Sequence, residues 1–118
     1  MANPFVYVQL HTQQPEAAKK FYGDLFDWNF DDLSTAFGTY TEVLVGEGIG
    51  GGIMKGGANA PTHWLPFVDV NDVAQSTDRA RALGATVIVE PSLVPGKGTF
   101  SVIIDPTGAT LALWQKAL

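Results

Sequence analysis

Tyr7, Gln9 and His11 alternate with apolar neighbours in the run FVYVQLH, so a strand over Phe5 to His11 places a phenol, an amide and an imidazole on one face. Together they offer hydrogen-bond donors and acceptors, and His11 adds a base that titrates near neutrality. The bland alternative for His11 is a surface residue closing the strand end. Glu42, in TYTEVLV, is the residue suited to general-base work if burial raises its pKa. Gly38 and Gly46 leave the register of its strand open, so it faces either the space above the sheet or solvent. A displaced metal site would need His11, His63 and Glu42 to converge at about 2 Å from one point; otherwise His63 flanks a linker in solvent. Tyr40, Trp64, Phe67, Phe100 and Trp114 are either walls for a flat ligand or plain core.

Other chemistry is excluded or weak. The literal G-x-G-x-x-G at Gly46, Gly48 and Gly51 is followed by IMKGGANAP, which is no helix, so no helix N-terminus is there to receive a pyrophosphate. The glycines better suit a tight turn and close backbone approach. The chain has no cysteine, which removes disulfides, thiol nucleophiles and thiolate ligands. No P-loop lysine, Ser-His-Asp order or paired histidine motif is present.

The elements that must position these groups come in a repeated order. Thr12 or Gln14 opens a helix at PEAAKKFYGDLF, with Pro15 in its first turn and Ala18, Phe21, Tyr22 and Leu25 at helical spacing. Trp28 to Phe30 reads as a short strand, Asp31 to Ser34 as a turn, and Thr39 to Val45 and about Gly50 to Lys55 as strands. KGGANAP is the linker-like segment. The order then recurs: HWLPFVDV is a strand, NDVAQSTDRARAL a helix capped by Asn71 or Asp72 and stopped at Gly84, and TVIVE, GTFSVII and ATLALWQ are strands, with DPTG a turn before the last. At an offset of about 58 residues Leu10 meets Val68, Ala18 meets Ser76 and Leu25 meets Leu83. A duplicated βαβββ unit explains the coincidence: one domain over residues 1–118, with a first module at about 3–56, a linker at about 56–62 and a second module at about 63–118.

Composition narrows the class further. A chain of 118 residues is one ordinary domain with one core. Its net charge of −5 and isoelectric point near 4.7 argue against nucleic acid, whose phosphates want clustered Lys and Arg. No apolar run is long enough to span a bilayer, and MANPFVYVQL lacks the pattern of a secretory signal, so the expectation is no membrane partner and a cytoplasmic location.

PEAAKKFYGDLFDW after the first strand, HWLPFVDVNDV opening the second half, ALGATV after its helix and DPTGATLAL near the end form an ordered set covering essentially the whole chain. In this set the sequence resembles the vicinal oxygen chelate superfamily, the glyoxalase, bleomycin-resistance and extradiol dioxygenase group. The resemblance implies an α+β fold in which two tandem βαβββ modules form a U-shaped mixed sheet around a cavity, in a homodimer. It also implies where metal-dependent members hold their ligands: at Tyr7, Gly52, Leu65 and Ala112 of this sequence, none of which offers an imidazole or a carboxylate. No metal or other cofactor is therefore expected, and the small Gly52 and Ala112 would leave room for a larger ligand.

The reading that follows is a metal-free protein that binds a small organic ligand in a cavity lined by Tyr7, Gln9, His11, Gly52, Leu65, Phe67, Ala112 and Trp114. The alternatives are a lyase or isomerase with His11 or Glu42 as catalytic base, metal-independent or with the displaced metal, and an assembly subunit without its own ligand.

Overall fold

A computed structural model describes residues 2–35 and 38–118. The elements run β1 (Phe5–Thr12), α1 (Pro15–Leu25), β2 (Asn29–Thr35), β3 (Gly38–Leu44), β4 (Gly51–Lys55), β5 (His63–Asp69), α2 (Val73–Ala82), β6 (Thr86–Val94), β7 (Gly98–Ile104) and β8 (Thr110–Lys116). This is the βαβββ order twice, an α+β fold. The chain packs as two compact units, Tyr7–Leu65 and, together with the described residues before Tyr7, Pro66–Leu118. The limits of the units fall inside β1 and β5. Asn3 Nδ2 donates to the Asp69 carbonyl and the Asp69 N–H to the Pro4 carbonyl, which ties the start of the chain to the second unit. No helix among the described residues is long and apolar enough to cross a membrane.

In the unit Tyr7–Leu65 the strand order is β2-β3-β4-β1, with β1 parallel to β4 and β3 antiparallel to both its neighbours. Alternation along each strand sends Leu10, Val43 and Ile53 to one face, where Ala18 and Tyr22 of α1 pack on them with Trp28, Phe30 and Trp64. Pro15 presets the first turn of α1, and Gln14 precedes it with its backbone N–H donated to Thr12 Oγ1.

Asp31 to Ser34, expected as a turn, belong to β2 and pair with Glu42, Thr41, Tyr40 and Thr39. The polar run misled because β2 is an edge strand, where exposed polar side chains are tolerated. Asp32 is further held by Thr41 Oγ1 at 2.6 Å and by Lys19 of α1 at 3.0 Å.

The second unit has the order β5-β8-β7-β6, with Phe67↔Ala112 in the parallel β5/β8 pair and β7 antiparallel to β8 and β6. Val73 of α2 packs on Ile103 and Leu113, with Ala80, Val87 and Leu111 around them. Of the two proposed caps, Asp72 is the one used: its carboxylate accepts the Gln75 N–H, while Gln115 Oε1 accepts the Val73 N–H. Gly84 follows the helix at φ 104°, as a C-terminal stop requires. Thr77 and Ser101, both fully buried, satisfy each other at 2.8 Å across the helix-sheet contact. Strand β6 continues past Glu90 to Val94, with irregular pairing around Pro91 that an edge strand accommodates.

Candidate functional site

The helix-free face of the sheet in the unit Tyr7–Leu65 is where the chemistry collects. The register pairs Gln9 with Gly52 and Gly52 with Glu42, and His11 with Met54 and Met54 with Tyr40. Residues two apart share a face, so Tyr7, Gln9, His11, Tyr40, Glu42, Gly52 and Met54 all point away from α1. The register of Glu42 is thereby settled: its side chain shares the face of Gln9 and His11, and it is exposed. Tyr7, Gln9, His11 and Tyr40 are half-buried.

A single oriented hydrogen-bond chain links these groups. The hydroxyls of Tyr7 and Tyr40 bond to each other directly above Gly52. Tyr40 donates to Gln9 Oε1 at 3.3 Å, and the Gln9 amide donates to His11 Nε2 at 2.8 Å and to Met54 Sδ at 3.0 Å. Both amide hydrogens are thus used, and His11, accepting at Nε2, carries its own proton on Nδ1. The His63 ring lies 5.1 Å from that of His11, centroid to centroid, and its Nδ1–H donates to the Pro61 carbonyl at 2.8 Å.

Glycine at position 52 makes room for the Tyr7–Tyr40 hydroxyl pair. A Cβ there would run into the hydroxyls of Tyr40 and Tyr7, so the room expected above Gly52 is already filled by two phenol hydroxyls. The small residue thus serves a contact within the chain.

Burial sets the protonation states. Tyr7 is held above the ordinary phenol range chiefly by desolvation, with the nearby Glu42 carboxylate adding to it and the Tyr40 hydroxyl opposing it. Tyr40 is pushed up strongly by burial, then by Tyr7 and Glu42. Both are therefore neutral hydrogen-bonding phenols at neutral pH. His11 is pushed below its ordinary value by burial first and by neighbouring His63 second, which leaves a neutral imidazole at pH 7.

Leu65 is buried, at 2% exposure. In the second unit Phe67 packs edge-on to Trp114 and tilted to Phe100, both at 6.4 Å, and Ala112 is completely buried. The Trp114 ring lies over Gly98, where a Cβ would come within 2.7 Å of it. Trp64 is not a ligand wall: it sits on the α1 side, 5.5 Å from the Tyr22 ring. His11 and His63 do meet, whereas Glu42 does not complete their set: among the described residues no three His, Cys, Asp or Glu side chains gather around one point.

Met54 was missed by sequence reasoning. Its signal was available only through the in-phase pairing of β1 with β4, which brings it beside His11. A hollow of about 480 Å³ beside Gln75, Ser76, Asp78 and Arg79 lies on the α2 surface of the second unit.

Two βαβββ units with a donor-rich sheet face in the first define a small α+β protein of the glyoxalase type. The sequence model of the Glyoxalase/Bleomycin resistance protein/Dioxygenase superfamily matches residues 5–113, and the chain belongs to that superfamily. It is 36% identical over 115 residues to the Mycobacterium bovis protein named "Putative glyoxylase CFP32", a match covering 92% of this chain and 44% of that protein. It is 27% identical over 118 residues to the anthracycline biosynthesis protein DauV of Streptomyces sp. (strain C5), covering 86% of this chain and 43% of that one. The chain thus spans less than half the length of these curated relatives. Among solved structures, a methylmalonyl-CoA epimerase of Streptomyces coelicolor shares the fold at TM-score 0.73 and 11% identity, with 100% of each chain covered.

Proposed function

We propose that this chain binds a small organic ligand on the helix-free sheet face of its first unit, through hydrogen bonds from neutral side chains and without the divalent metal the fold family implies. The observation that carries the reading is the Tyr7–Tyr40 hydroxyl pair above Gly52. Tyr7 stands at one of the four positions where the family resemblance sets metal ligands, and the hydroxyl pair fills the space over a second, Gly52. A half-buried phenol held above its ordinary pKa and bonded to another phenol is a poor metal ligand, glycine has no side-chain donor, and Leu65 and Ala112 are apolar. The residues present therefore do not fit that metal. The phenol oxygens as acceptors and the His11 Nδ1–H as donor suit a ligand that carries both donor and acceptor groups beside an apolar or aromatic body.

The test is a screen of small aromatic carbonyl and amine compounds by thermal shift, repeated with Tyr40→Phe and Gln9→Leu. Stabilisation by at least one compound, lost in both variants while the unliganded melting temperature stays within a few degrees, supports the reading. Binding that survives both variants overturns it.

A second reading has one specific support: the neutral imidazole of His11 is in the protonation state a general base needs. If the protein is a metal-independent lyase or isomerase, His11 and not the exposed Glu42 takes the proton. Turnover in chelator-treated protein, abolished by His11→Gln and retained in Glu42→Gln, would establish that reading over simple sequestration.

A further inference from the structure

We propose that His11, His63 and Met54 form a binding site for a soft monovalent cation, copper(I), distinct in residues and in metal class from the divalent site of the fold family. The inference does not depend on the organic-ligand reading. Three observations converge on it.

Geometry is the first. The Gln9 amide nitrogen sits 2.8 Å from His11 Nε2 and 3.0 Å from Met54 Sδ, so the lone pairs of an imidazole and a thioether already aim at one point. An ion taking that point requires the Gln9 amide to swing away, and it then meets both donors after shifts of about 0.7–0.8 Å in each, since metal–nitrogen and metal–sulfur bonds are about 2.0–2.3 Å.

The spacing of the two histidines is the second. Two imidazoles held at about 2.0–2.1 Å from one ion have ring centroids about 5 to 5.5 Å apart over tetrahedral to trigonal angles. The His11 and His63 centroids are 5.1 Å apart. The Pro61 carbonyl accepts from His63 Nδ1, the outer-shell arrangement that orients metal-bound histidines through their other ring nitrogen.

Donor chemistry is the third. The set is two imidazoles and a thioether, with no thiolate and no carboxylate. Hard divalent ions gain little from such donors, whereas copper(I) prefers them. The Glu42 carboxylate on the same face and the overall charge of −5 favour a cation without ligating it.

The experiment is an anaerobic titration of the whole protein with copper(I) against bicinchoninate, with copper K-edge absorption on the loaded sample. The expected result is one equivalent withdrawn from the chelator, a shell of nitrogen and one sulfur scatterer, and affinity reduced on the order of tenfold or more in Met54→Leu and in His63→Gln, at least the scale of losing an outer-shell partner. Met54→Leu conserves volume and His63 is partly exposed, and circular dichroism of both variants confirms folding. Copper left entirely with the chelator overturns the proposal. So does uptake that neither variant changes, which marks an adventitious ion only, and so does a sulfur-free shell.

Discussion

The helix-free sheet faces of the two units are built from one pattern and filled in opposite ways. In the first, Tyr7, Tyr40, Gln9 and His11 are strung together by hydrogen bonds above Gly52. In the second, Phe67, Phe100 and Trp114 pack ring against ring, with Trp114 above Gly98. Each glycine clears space for an aromatic side chain, but one supports a polar contact and the other an apolar one. A duplicated fold can thus keep its packing devices while chemistry concentrates in one copy. The polar face is the one with groups that can recognise a ligand or hold an ion, and the aromatic face is the one whose removal would be felt as lost packing.

The helix-side cores give the largest expected effect. Ile53, completely buried against Leu10 and Val43, should cost about 2–5 kcal/mol as Ile53→Ala in chemical denaturation, more than Leu113→Ala in the second unit, where 7% of the residue remains exposed. Equal losses would mean that the two cores are equally well filled.

Next come the glycines. A Cβ at Gly98 meets the Gln115 carbonyl oxygen as well as the Trp114 ring, and backbone cannot step aside, so Gly98→Ala should destabilise by roughly 1–3 kcal/mol. The nearest atoms to a Cβ at Gly52 are the ends of two tyrosine side chains, which can turn away. Gly52→Ala should therefore lower stability less than Gly98→Ala but abolish ligand binding, and a reversed order would break the comparison.

Asp72→Ala should cost about 1 kcal/mol through the lost cap on α2, while Gln14→Ala before α1, which makes no side-chain cap, should cost clearly less. The smallest effect concerns pH. Because His11 has its pKa lowered in the fold, the unfolded chain binds more protons once pH drops below the ordinary histidine value, and stability is lost as pH falls through the unfolded and then the folded pKa. The melting temperature should decline from pH 7 to pH 5, with a shallower slope in His11→Gln.

Much of this architecture is legible in the residues, and the limits are physical. Helical spacing in PEAAKKFYGDLF, the Asp72 cap and the Gly84 stop locate both helices, because these signals are local. The polar Asp31–Ser34 segment is not legible as strand, since its conformation is imposed by pairing with Thr39 to Glu42. Tyr7, Gln9 and His11 fall on one face as alternation requires. That Tyr40 reaches over Gly52 to Tyr7, that Glu42 shares their face and that Met54 stands beside His11 all depend on the register of three strands, two of them remote from β1 in sequence. Trp64 shows the same limit from the other side: an aromatic residue next to a site by sequence lies on the opposite face of its strand.

The most direct test of the central claim is native mass spectrometry of the protein as purified and after dialysis against zinc, nickel, manganese and iron, with elemental analysis of the same samples. The account predicts the mass of the polypeptide, alone or with an organic adduct that Tyr40→Phe loses, and no stoichiometric divalent metal in any sample. A full equivalent of a divalent ion retained by the wild type and lost in Tyr7→Phe would contradict it.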